Sequence, residues 1–129
     1  GFGAFYLGQR RYDKAIEKLL AAIDLDDSQA VYYGKLADAY RLRNNEGDLT
    51  LAVYSYNRAV ELDKEYGDAY CGLGISYDKL DEVEEALDAL EVCINKSQND
   101  SLRDEAQEII DKHLVVEETT EASDQTEGE

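Results

Sequence analysis

The chain has 129 residues, with 30 acidic and 13 basic side chains and a net charge of −17; the length suits one domain, and the charge repels a phosphate backbone or an anionic bilayer, so neither nucleic acid nor membrane is an expected partner. With one histidine and two cysteines there are too few ligands for a metal site and too few thiols for a disulfide framework, so Cys71 and Cys93 are expected as buried free thiols. Proline is absent, helix formers such as Ala, Leu, Glu and Lys dominate, and no apolar run approaches the ~18 residues that span a bilayer.

The predicted elements are all helical, and they repeat. The first unit, about residues 1–29, begins part-way along a helix carrying Gly3 and Tyr6, then gives Ala15-x3-Leu19 and Ala22-Ile23 on a second helix. The second, about 30–66, gives Tyr33-x2-Leu36-Ala37-x2-Tyr40, a turn at "NNEG" with Asp48 as expected N-cap, then Ala52-x3-Tyr56 and Ala59-Val60. The third, about 67–100, gives Tyr70-x2-Leu73-Gly74-x2-Tyr77, a break at 79–82, then Ala86-x3-Leu90 and Cys93-Ile94. Tyr6 to Tyr40 and Ala52 to Ala86 are each 34 residues, whereas Tyr40 to Tyr77 is 37. The period is therefore 34, with a three-residue insertion between Tyr40 and Ala52. The spacing of three and four puts each set on one helical face, and such narrow stripes are buried only by stacking neighbouring helix pairs.

Residues 101–116 read as a final helix, N-capped by Asp100 or Ser101, whose Leu102, Ala106, Ile109 and Ile110 cover the last unit. Together 1–116 form the expected folded domain. Residues 117–129 carry six acids and no base and are expected to be a disordered acidic tail. The first unit lacks a cover on its N-terminal side, which predicts further repeats or another domain upstream, or self-association through that edge.

Taken together, the three units resemble the tetratricopeptide repeat, a 34-residue helix–turn–helix with the pattern W-x2-L-G-x2-Y…A-x3-F…P. The exit proline is missing each time, with Asp27, Lys64 and Gln98 in its place. The resemblance implies an all-α, right-handed solenoid of antiparallel helix pairs that binds a protein or peptide in a concave groove. Carried over by register, the groove-facing residues are Gly34, Asp38, Arg41 and Leu42 in the second unit, and Asp68, Cys71, Ile75, Asp78 and Lys79 in the third. The clamp of Lys, Arg and Asn with which some relatives hold the C-terminal carboxylate of heat-shock chaperones is not evident: Asp68 and Gly72 stand at its basic positions, Ala4 and Lys35 at its amide positions. A mixed, net acidic groove favours a basic or amphipathic segment. The alternative is a structural spacer or oligomerisation arm of a larger protein.

"YCGLGISY" (70–77) contains G-x-G but lacks a third glycine and a preceding strand, so a phosphate loop is not supported. Gly74 is the small packing residue of its repeat; Gly72 reads as a bare patch beside the groove. His113 is expected to be a solvated residue near a helix end. No nucleophile–base pair is evident, so no enzyme and no cofactor is expected. The compartment is open, with the cytoplasm as the expectation.

Overall fold

The computed structural model describes the backbone of residues 2–127 and the side chains of residues 8–115. Six helices follow in order: α1 (Phe2–Leu25), α2 (Ala30–Arg43), α3 (Asp48–Leu62), α4 (Gly67–Lys79), α5 (Val83–Lys96) and α6 (Asp100–Glu127). No strand occurs among the described residues. Helix α2 pairs with α3 and α4 with α5; α1 packs on α2, and α6 packs on α4 and α5. The two pairs join through α3 against α4, giving the helix-pair solenoid expected from the 34-residue period.

Two differences from the expected repeats lie at the N-terminal end and in the second unit. The first unit is one continuous helix, not a helix–turn–helix. By register with the break at 79–82, a turn in the first unit would fall at 8–11, but Gln9, Arg10 and Arg11 are good helix formers and no turn-forming cluster stands there. The side chains of Gly3 and Tyr6 lie outside the described residues. In the second unit the three-residue insertion is spread evenly. Compared with the third unit, α2 runs one residue further past its tyrosine, the turn has four residues (44–47) where the other has three (80–82), and α3 starts one residue earlier relative to its alanine. The stack therefore absorbs the insertion without a bulge.

That longer turn is held by Asp48. The N-cap position belongs to Gly47, at φ 84, and Asp48 is the first residue of α3. Its buried carboxylate instead accepts from the Asn45 backbone N–H and, in a two-pronged pair, from Arg43 Nε at 2.8 Å and Nη2 at 2.9 Å. Arg43 also reaches Asp13 of α1 at 2.8 Å, so one guanidinium ties three helices. Hydrogen bonds from Arg43 hold the Asp48 carboxyl below its ordinary value, outweighing the opposing effect of burial. A depressed carboxylate contributes stability that is present above the unfolded pKa of about 4 and is lost as pH falls through the folded value. Asp48→Asn should therefore lower stability by about 2 kcal/mol at pH 7, because it leaves a largely buried guanidinium short of its charge partner. The deficit should shrink below pH 4, measured by urea unfolding across pH.

The core has two parts. One, between α1 and α4, gathers Ile16, Leu36, Ala37, Tyr40, Ala52, Tyr56, Ala59 and Leu73 around Tyr56; Ala15 and Ala22 of α1 are half-buried beside it. The other joins Cys71 and Ile75 of α4, Leu90 and Cys93 of α5 and Ala106 of α6, while Ala86 is buried in α5. Here the expectation of free thiols fails: Cys71 and Cys93 form a disulfide between α4 and α5, with Cα atoms 4.7 Å apart. Both positions face the shared interior of one helix pair, which brings their Cα atoms within bridging range. The repeat pattern alone assigned Cys93 only to a small-residue slot. Gly74 permits this close pairing, since a Cβ there would lie 2.5 Å from Leu90 Cδ2.

One further expectation changes at the C-terminal end. Asn99, not Asp100 or Ser101, caps α6, its Oδ1 accepting from Leu102 N. The backbone of α6 runs to Glu127, and residues 128 and 129 lie outside the described residues. No described helix is long and apolar enough to cross a membrane.

Candidate functional site

Helices α2 and α4, the first helices of their pairs, lie side by side with the start of α6 against α4. Between them opens a polar pocket of about 110 Å³, whose walls include Lys35, Asp38, Arg41, Tyr66, Asp68 and Asn99. Two glycines shape it. Gly34 of α2 leaves room for the Tyr66 phenol, which a Cβ would meet at 2.5 Å. Gly72 of α4 is buried, not bare: the Tyr56 ring sits directly against it. Tyr56 belongs to α3, behind the pocket, yet the missing side chain lets its hydroxyl pass through to the inner face.

That hydroxyl organises the pocket floor. It donates to Asp38 Oδ1 at 2.5 Å and accepts from Arg41 Nε at 2.9 Å. Burial first, then the Asp38 charge, push the Tyr56 phenol far above its ordinary pKa, so it stays a neutral donor. Burial works against the Arg41 charge, but Tyr56 and Asp38 reverse the effect and raise it overall. On the opposite wall, Ser97 Oγ donates to Asp68 Oδ1 at 2.6 Å, tying the end of α5 to the start of α4. The Oδ2 atoms of Asp38 and Asp68 accept no hydrogen bond from any described residue. Tyr66 stands in their field: burial, then Asp38 and Asp68, raise its phenol.

Comparison with other proteins bears on this architecture. The sequence model of the TPR repeat matches residues 41–81, spanning the end of α2, all of α3 and α4. Among solved structures, the Arabidopsis OM64 TPR domain superposes with a TM-score of 0.71 at 25% identity, over 86% of this chain and 88% of that one. The helix pairs are built and stacked as in tetratricopeptide domains. The first TPR domain of human RPAP3 superposes with a TM-score of 0.72 at 27% identity, over 91% of this chain and 90% of that one. The first TPR of Spaghetti (RPAP3), bound to the HSP90 peptide SRMEEVD, gives 0.70 at 28% identity, over 87% of each chain. No curated protein sequence matches the chain. Tetratricopeptide domains are protein-interaction modules, and this chain shares their sequence signature over 41–81 and their fold.

Within the tetratricopeptide frame, seven of the nine residues carried over by register separate into two groups, and the other two, Leu42 and Lys79, are exposed outside both. Gly34, Asp38, Arg41 and Asp68 converge on the one pocket. Cys71 and Ile75 do not reach it: both are buried under α6, Cys71 within the disulfide. Asp78 is occupied by α6 as well, with Oδ1 at 2.7 Å from His113 Nε2 and Oδ2 at 3.3 Å from Lys112 Nζ. His113 is therefore a docking residue of the capping helix, not a solvated one. Burial opposes the Asp78 charge, but the hydrogen bonds from His113 and Lys112 keep its carboxyl below the ordinary value. Capping thus closes the inner face of the third repeat beyond Asp68 and leaves the second repeat's half open.

Tyr56, Tyr66, Asn99 and Leu102 line the pocket without having been anticipated. Leu102 comes from outside the three repeats, and Asn99 from the last residues of the third. For Tyr56 one sequence signal existed: a glycine at position 72, where its counterpart in the second repeat is Lys35.

Proposed function

We propose that this tetratricopeptide domain binds a basic or amphipathic segment of a protein partner along its inner face, with one cationic side chain seated between Asp38 and Asp68. The observation that carries the reading is that both carboxylates face one small polar pocket with an oxygen still free. The local cations do not cancel them: Arg41 is committed to Tyr56 and Asp38, while Lys35 is exposed and free to swing aside. The net charge of −17 adds long-range attraction for a basic partner. An acidic peptide such as SRMEEVD, the one on the Spaghetti domain, would meet Asp68 where the carboxylate clamp has a base. It would also meet Gly72 covered by Tyr56. We assign no catalytic role, since the histidine serves α6 docking and both sulfurs the disulfide.

Calorimetric titration with SRMEEVD and with a lysine-rich amphipathic peptide of equal length tests the proposal. The basic peptide should bind, weaken steeply with salt, and lose at least about tenfold in affinity with Asp38→Asn/Asp68→Asn. Tighter binding of SRMEEVD than of the basic peptide would refute the reading.

A further inference from the structure

We propose a second docking site, on the opposite face of α4 and independent of the inner groove: the cleft between α4 and α5 receives an arginine that a partner presents beside an apolar residue. The argument comes from a difference between the two repeats. In the second repeat, Arg58 of α3 lies over the Tyr33 ring, 5.8 Å from its centroid, and pairs with Glu61 at 3.2 Å. The repeat register aligns Tyr33 with Tyr70, each opening its Tyr-x2-Leu motif. It aligns Arg58 with Val92, each six residues past its alanine. The third repeat therefore keeps the aromatic ring and lacks the cation. At the same time its rim gains acids: Glu85 and Asp88 stand where the second repeat has Leu51 and Tyr54.

The result is an open cleft of about 300 Å³ whose floor includes Tyr70, Leu73, Tyr77 and Val92 and whose rim carries Glu85 and Asp88. Two positions along a helix are about 200° around it. Tyr70, Leu73 and Tyr77 thus face away from Asp68, Cys71 and Ile75, and a ligand here does not compete with one in the groove. An aromatic floor with carboxylates above it suits a guanidinium, which stacks on the ring while its edge meets the acids. The apolar remainder of the cleft takes a neighbouring leucine-sized side chain. The second repeat shows the same pairing made within one chain.

The test uses a capped helical peptide with Leu and Arg at spacing three and four, and the same peptide with Arg replaced by Glu, followed by NMR of the tyrosine rings. The arginine peptide should shift Tyr70 and Tyr77 saturably; the glutamate peptide should not. Val92→Arg, which gives the third repeat the cation that the second already has, should weaken binding at this cleft at least tenfold with the melting temperature unchanged. Glu85→Gln/Asp88→Asn should weaken it similarly, whereas Asp38→Asn/Asp68→Asn should not affect it. Shifts confined to groove residues, or undiminished shifts at Tyr70 with Val92→Arg, would overturn the proposal and leave the groove reading intact.

Discussion

Chemical reduction, or Cys71→Ala together with Cys93→Ala, should lower stability by about 3 kcal/mol, the chain-entropy contribution expected for a bridge spanning 22 residues. For a domain of this size that corresponds to a fall in melting temperature of roughly 10 °C. Alanine is the right replacement because the second repeat has Ala59 at the position of Cys93, and Ala59 is fully buried there. Both cysteines are also fully buried, with Ala106 of α6 in the same cluster. A reductant should reach them only when α6 lifts, so reduction of the native protein should be slow and should accelerate in mild urea. Thermal melts with and without a phosphine reductant, alongside a thiol count on the native protein, check this. Two titratable thiols in the native protein, or identical melts, would refute the bridge.

Gly72→Val should be about as damaging. A Cβ at 72 would collide with the Tyr56 ring, and that ring has no room to retreat, being fully buried with its hydroxyl held by Asp38 and Arg41. Overpacking of this kind costs about 3 kcal/mol, well beyond the few tenths gained by replacing glycine in a helix. Gly8→Val is the control: nothing lies within 4 Å of a Cβ there, so its effect should be near zero. A second, functional consequence follows from the same contact. Displacing Tyr56 frees Arg41 and unseats Asp38, so peptide binding in the groove should weaken by more than the loss of folded protein explains. If Tyr56→Ala in the Gly72→Val background restores stability without restoring binding, the two roles of Tyr56 are separated.

The stacking of helix pairs was legible in the sequence because it depends on periodicity. Alanines, leucines and tyrosines at spacing three and four bury one face per helix, and a 34-residue recurrence means each face meets the same neighbour in turn. Leu36, Ala37, Ala52, Ala59, Leu73 and Ala86 are buried for that reason. The same register assigned Gly34, Asp38, Arg41 and Asp68 to a groove face, and the structure gathers them around one pocket. It misjudged whatever depends on elements outside the repeat. The capping helix covers Cys71 and Ile75 and engages Asp78 through His113, and repeat periodicity carries no information on which groove positions a following helix occupies. Local signals also failed where a charge across the turn outweighed them: Asp48 has the composition of an N-cap, yet Arg43 offers it a stronger partner than a helix N–H. The sequence by itself determined the helices of the second and third repeats, their pairing and the acidic surface, since these follow from spacing and composition. Only the tertiary structure decided that Cys71 meets Cys93 and that Tyr56 reaches the groove through Gly72, because both depend on distances between side chains of different helices.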